Sequence, residues 1–128
     1  MFNWRDWVAN TDSKELRKVF DYCLKKAGYK VLGVKEFQFE PFGYSAIYLL
    51  SDSHFAVHTF PEEDKTYVEL SSCIEGKQRA FMSLIQSKKI GDILAKRSET
   101  KVDASQAHQV VEKNLITKTT ELLERHQY

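Results

Sequence analysis

Two runs of alternating polarity, separated by a proline and a charged turn, constrain this chain more than any other feature. Residues 54 to 60 put Phe55, Val57 and Thr59 on one side and His54, Ala56, His58 and Phe60 on the other, which is the period of two of a strand. Pro61 has no N–H to give a ladder and ends the run, and Glu62-Glu63-Asp64-Lys65 reads as a solvated turn. From Tyr67 to Ser72 the alternation resumes, with Val68 and Leu70 on one face and Tyr67, Glu69, Ser71 and Cys73 on the other. The expected unit is a hairpin bringing together serine, histidine, glutamate and cysteine.

What surrounds this hairpin is ordinary for a small enzyme or binding module. The 128 residues are 42% hydrophobic and 29% charged, which is enough for one domain over 1–128 with a core of its own. A net charge of +1, with no basic cluster interleaved with aromatics, gives no ground for a nucleic-acid partner. No apolar run approaches membrane-spanning length, and Met1-Phe2-Asn3-Trp4-Arg5-Asp6 does not read as a secretory signal. Cys23 and Cys73 lack the spacing of a disulfide framework, and Cys23 falls on an apolar helix face. A reduced, cytoplasmic setting is the expectation.

Along the chain, Asp12-Ser13-Lys14-Glu15 is a helix start. Leu16, Val19, Phe20, Cys23, Leu24 and Ala27 follow at helical spacing, and Gly28 supplies the stop. Trp4 and Trp7 are expected to pack on the core. Strands are expected over 30–39 (with Gly33 a bulge), 45–51, 54–60 and 66–73, and a second helix over 76–88 through Ala80, Phe81, Leu84 and Ile85. Residues 89–95 fit either a strand or a helix. From Asp103 to 126 the pattern is helical, and packing on its own domain is favoured over an oligomer contact. The fold class is α/β in the α+β sense: a two-layer sandwich, a mostly antiparallel sheet with helices 13–27 and 76–88 on one face. A sheet with both faces apolar needs two covers, so a homodimer is expected.

The hairpin and the segment before it resemble the bacterial and archaeal S-adenosylmethionine decarboxylases, small enzymes that make their own pyruvoyl cofactor. The residues that carry the resemblance are Asp52-Ser53-His54, then His58-Thr59-Phe60-Pro61-Glu62, then Cys73, with Phe39-Glu40-Pro41-Phe42-Gly43-Tyr44-Ser45 upstream. All lie in register without a gap, and the likeness spans residues 12 to 90. Four details depart from the family pattern. Asp52 stands where glutamate is expected, Phe60 where tryptophan or tyrosine is usual, the 62–65 turn is more charged, and Ile74 replaces a glycine after Cys73.

The chemistry behind such a signature follows from one deficiency. Decarboxylation of an amino acid leaves a carbanion that needs an electron sink, and no side chain contains the carbonyl that would provide one. A serine can make it: its Oγ attacks the preceding carbonyl, the peptide becomes an ester, and elimination and hydrolysis leave an N-terminal pyruvoyl group. The resemblance implies that Ser53 is the precursor of this group and that Asp52 becomes a new C-terminus. It also implies that His58 is the base for elimination, that Ser45 assists processing, and that Cys73 returns a proton to the substrate carbon. Phe39 is implied as the adenine-stacking residue and Glu62 as the acceptor for ribose hydroxyls, with S-adenosylmethionine as substrate and spermidine synthesis as the use of the product. Two other readings stay open, a pyruvoyl-dependent arginine or ornithine decarboxylase and an unprocessed, non-catalytic ligand-binding homologue. A Cys73–His58 hydrolase dyad lacks a recognisable oxyanion segment. A metal site is not expected either, because strand residues four apart lie roughly 13 Å from each other, too far to share an ion bound at about 2 Å.

Overall fold

The computed structural model describes residues 1–97; the helix expected over 103–126 lies outside them. The order is β1 (Phe2–Val8), α1 (Ser13–Lys26), β2 (Val31–Gln38), β3 (Tyr44–Leu50), β4 (Ser53–Phe60), β5 (Lys65–Ser72), α2 (Glu75–Gln86) and α3 (Lys88–Leu94). The five strands form one sheet in the order β1-β5-β4-β3-β2, with every neighbour antiparallel. This is the expected α+β sandwich, with two additions. Residues 2–8 form a fifth strand, and a 3-10 turn at Pro61–Glu63 leads into Asp64, whose positive φ of 51° closes the β4–β5 connection. Of the two forms open for residues 89–95, the helix is the one found, over Lys88–Leu94.

Local chemistry explains the elements. Asp12 Oδ1 accepts from the amides of Lys14 and Glu15 at 3.0 and 3.2 Å, satisfying two of the free N–H groups at the start of α1. The helix stops at Gly28, which takes a φ of +98° that a side chain would strain, while Tyr29 N donates to Leu24 O and Gly28 N to Lys25 O, both at 3.0 Å. This motif caps the last carbonyls and points the chain straight into Tyr29, which is buried. In β2 the register shifts between Val31 and Gly33, where the bulge was expected. Ser87 separates α2 from α3 with an extended backbone, its hydroxyl donating to Leu84 O at 2.7 Å.

The core lies between the helices and one face of the sheet. Leu16, Val19, Phe20, Cys23 and Leu24 of α1, with Phe81 and Ile85 of α2 and Ile90 and Leu94 of α3, pack on Tyr44, Ala46, Tyr48, Leu50, Phe55, Val57, Val68 and Leu70. Phe55 is the centre, with ring centroids 4.9 Å from Phe20, 5.5 Å from Tyr48 and 5.5 Å from Phe81. Trp4 adds an edge contact to Phe81 at 5.6 Å. Trp7 does not join this core. Three residues on from Trp4 along a strand, it faces the other way, half-exposed, against Phe60 and Tyr67, with Lys65 Nζ 4.6 Å from its ring. Burial pushes the Cys23 thiol up to about 11, which makes it the inert core group expected. An ionic network joins α1 to the β2–β3 edge: Arg17 pairs with Asp21 at 2.9 Å and with Glu36 at 2.8 Å, Tyr48 donates to Asp21 at 2.8 Å, and Tyr44 donates to Glu36.

Candidate active site

The junction at Asp52 and Ser53 sits in the tightest turn of the sheet. Leu50 pairs with Ser53, so β3 and β4 are joined by Ser51 and Asp52 alone. Asp52 takes a φ of +61°, the left-handed region that costs a non-glycine residue about 1–3 kcal/mol and persists only where its surroundings hold it. The bond that would be broken therefore follows directly on a strained residue. Ser53 opens β4 on the helix-covered side of the sheet and is buried. Its Oγ accepts from the backbone N–H of Cys73 at 3.3 Å and lies 3.5 Å from Ser72 Oγ. Cys73 thus lies beside the serine because Ser53 pairs with Ser72 across β4 and β5. Its side chain is exposed, with Sγ 3.7 Å from Met1 Sδ.

A second group occupies the open face. Ser45 pairs with His58 across β3 and β4, and Ser45 Oγ lies 2.7 Å from His58 Nδ1. His58 stacks near Tyr67 at 6.4 Å with an interplanar angle of 19°. Burial lowers the His58 pKa below its ordinary 6.5, while nearby Glu69 pulls it back up. The ring is therefore neutral at neutral pH, and with Nδ1 engaged by Ser45, Nε2 is left to take or give a proton.

These two groups do not meet within one chain. Ser53 and His58 are five residues apart on one strand, roughly 16 Å at about 3.3 Å per residue, and an odd spacing puts their side chains on opposite faces. Phe39 and Glu62 flank the second group, not the first. Phe39 lies at the β2–β3 turn, its ring 4.7 Å from that of Phe37 and its amide donating to Gly43 O at 2.8 Å. Glu62 lies in the 3-10 turn after β4, with Oε2 buried and without a hydrogen-bond partner among the described residues. A carboxylate oxygen in that position is suited to a donor brought in by a ligand or another chain. Ser72 and Tyr29 are the residues that sequence reasoning missed: Tyr29 donates to Ser72 Oγ at 2.5 Å, one step from the junction serine. Their signal was weak, since a tyrosine after a helix stop and a serine at a strand end are both common in solely structural roles.

The chain has relatives with the same organisation. A sequence model of the S-adenosylmethionine decarboxylase family matches residues 8–92. The S-adenosylmethionine decarboxylase proenzyme of Persephonella marina is 27% identical over 101 residues, 74% of this chain and 75% of its own length. That of Prochlorococcus marinus is 34% identical over 68 residues, 53% of this chain and 54% of its own. The crystal structure of the adenosylmethionine decarboxylase from Aquifex aeolicus superimposes with a TM-score of 0.57 at 19% identity, covering 79% of this chain and 95% of that one, a likeness of fold. The family match takes in the Asp52-Ser53 turn, the Ser45–His58 pair and Cys73 together. This chain belongs to the S-adenosylmethionine decarboxylase family, a family of carboxy-lyases.

Proposed function

We propose that this protein is a pyruvoyl-dependent S-adenosylmethionine decarboxylase that cleaves itself between Asp52 and Ser53, supplying an aminopropyl donor for spermidine synthesis. The observation that carries this reading is the junction, where a serine with its hydroxyl held by a backbone amide follows directly on a residue in the left-handed region. In the first step Ser53 Oγ adds to the Asp52 carbonyl carbon, and the peptide becomes an ester with the nitrogen of Ser53 released as an amine. His58 then removes the Ser53 Cα proton, the Asp52 carboxylate leaves, and hydrolysis with loss of ammonia produces the pyruvoyl group. When present, that group supplies the electron sink for decarboxylation.

The chain's own residues do the rest. Cys73, beside the junction, holds the proton for the substrate carbon once CO₂ has left. Phe39 offers a ring face for adenine, and the partnerless Glu62 Oε2 accepts from ribose hydroxyls. Because the Ser45–His58 pair lies on the opposite face from the Ser53 side chain, the working unit is a homodimer in which the pair of one copy serves the junction of the other. The open sheet face supports that arrangement: Ile47 is 53% exposed and Leu49 59%, on the same face as half-exposed Trp7 and Phe37, and exposed apolar groups of this size suit an interface. Among the described residues no helix is long and apolar enough to cross a membrane.

Release of CO₂ from carboxyl-labelled S-adenosylmethionine, arginine and ornithine tests the substrate. Turnover of S-adenosylmethionine alone is expected. Turnover of a basic amino acid in its place overturns the assignment, and ligand binding by an uncleaved chain with no CO₂ from any of the three makes it a non-catalytic homologue.

A further inference from the structure

We infer that Tyr29 and Ser72, both positioning residues, set the rate at which the chain processes itself, Ser72 by fixing the turn whose Cys73 amide holds the Ser53 hydroxyl and Tyr29 by holding Ser72. The inference rests on the self-cleavage proposed above and assigns it two residues that the family signature does not contain. Ser72 has no exposed surface. Its Oγ accepts from Tyr29 at 2.5 Å and from the Ile74 amide at 3.1 Å, and it donates to Ile74 O at 3.1 Å. Its one proton is therefore committed to the Ile74 carbonyl and its two lone pairs to Tyr29 and the Ile74 amide, which fixes the turn through Cys73, with Ser53 Oγ 3.5 Å away.

That turn matters for the nucleophile. Ser53 receives the Cys73 N–H on one lone pair, which holds its oxygen in place and leaves the second lone pair for the Asp52 carbonyl. Because the Ser72 proton goes to Ile74 O, it does not tie up that second lone pair. The Tyr29 hydroxyl, donating to Ser72 Oγ, holds Ser72 in this orientation. Burial pushes the Tyr29 hydroxyl above its ordinary value, partly offset by its bond to Ser72, so it remains a proton donor across neutral pH. The capping motif at Gly28 fixes where Tyr29 begins, and Lys77 Nζ sits 5.7 Å from the Tyr29 ring. The acyl shift itself is an isomerisation. The Oγ–C bond forms, the C–N bond breaks and the hydroxyl proton ends on the freed nitrogen, so no co-reactant is required.

The test is cleavage followed in time after cell-free synthesis of the full chain, for the unmutated sequence and for Tyr29→Phe, Ser72→Ala and Ser72→Thr, with melting temperatures taken alongside. Loss of one hydrogen bond predicts about five-fold slower cleavage in Tyr29→Phe and at least that in Ser72→Ala. Ser72→Thr, which restores the hydroxyl, is expected within about two-fold of the unmutated rate. Tyr29→Phe cleaving at the unmutated rate overturns the inference while leaving self-cleavage intact. Should Tyr29→Phe be slow and also melt lower, Ser72→Thr decides: rescue supports the inference, and a rate no better than that of Ser72→Ala overturns it. An unmutated chain that never cleaves overturns the function beneath it as well.

Discussion

Ser53 combines two properties that a structural serine does not need, a strained neighbour on its N-terminal side and a buried hydroxyl held by a backbone amide. Replacing it with alanine removes the Oγ that starts the acyl shift, so Ser53→Ala should give no cleavage and no turnover, read by gel and by CO₂ release. His58→Ala should cleave slowly and accumulate ester, which hydroxylamine would cut. Cys73→Ala should cleave at a rate close to that of the unmutated chain and lose turnover, because its proton is needed only after CO₂ has left. The lowered His58 pKa adds a prediction with a sign. The neutral ring is the active base, so the cleavage rate should rise with pH to a plateau, with its midpoint below the ordinary histidine value of 6.5. A midpoint above that value would remove His58 from the role.

At the scale of elements, β4 links the core to the chemistry, since Phe55 and Val57 anchor the strand whose ends carry Ser53 and the His58 turn. Phe55 is fully buried among three aromatic rings, so Phe55→Ala should cost about 3–5 kcal/mol. That is a large fraction of the stability of a small domain, and cleavage should weaken with it. Chemical denaturation measures the loss. The β3–β5 strands, α1 and α2 were legible because alternation and helical spacing are local, and the cap at Asp12 and stop at Gly28 behaved as their chemistry requires. β1 was not legible. Its pairing with β5 joins Phe2 to Ser72, a contact far along the chain that no local pattern announces, and with it went the reading of Trp7 as a core residue. Residues 88–94 became helix because their apolar pair, Ile90 and Leu94, are four apart and both reach the core, while Leu94 O ties back to Ala9 and Asn10. In the site, Ser45 and His58 were singled out by the resemblance, and their pairing across β3 and β4 came from the sheet register. The separation of that pair from the Ser53 hydroxyl needed the sheet, because it depends on which face each side chain takes.

At the scale of the molecule, that separation and the exposed apolar residues of the open face are the grounds on which a homodimer is proposed. Ile47→Asp on the open face should yield a monomer by light scattering and slow cleavage with it, although the residue lies outside the reacting groups. Subunit mixing is more specific. Ser53→Ala and His58→Ala chains each lack one half of the machinery, and their co-expression should restore cleavage to the His58→Ala chain, which keeps its own Ser53. Failure of that complementation in a demonstrated mixed dimer would place both halves within one chain and contradict the face assignments. Beneath all of these predictions lies the cleavage at the strained turn, and the mass of the purified protein reads it without any substrate. The account predicts fragments 1–52 and 53–128, the second blocked at its N-terminus by pyruvoyl and gaining mass with borohydride and an amine. A full-length chain with an intact Asp52–Ser53 bond after prolonged incubation would contradict it.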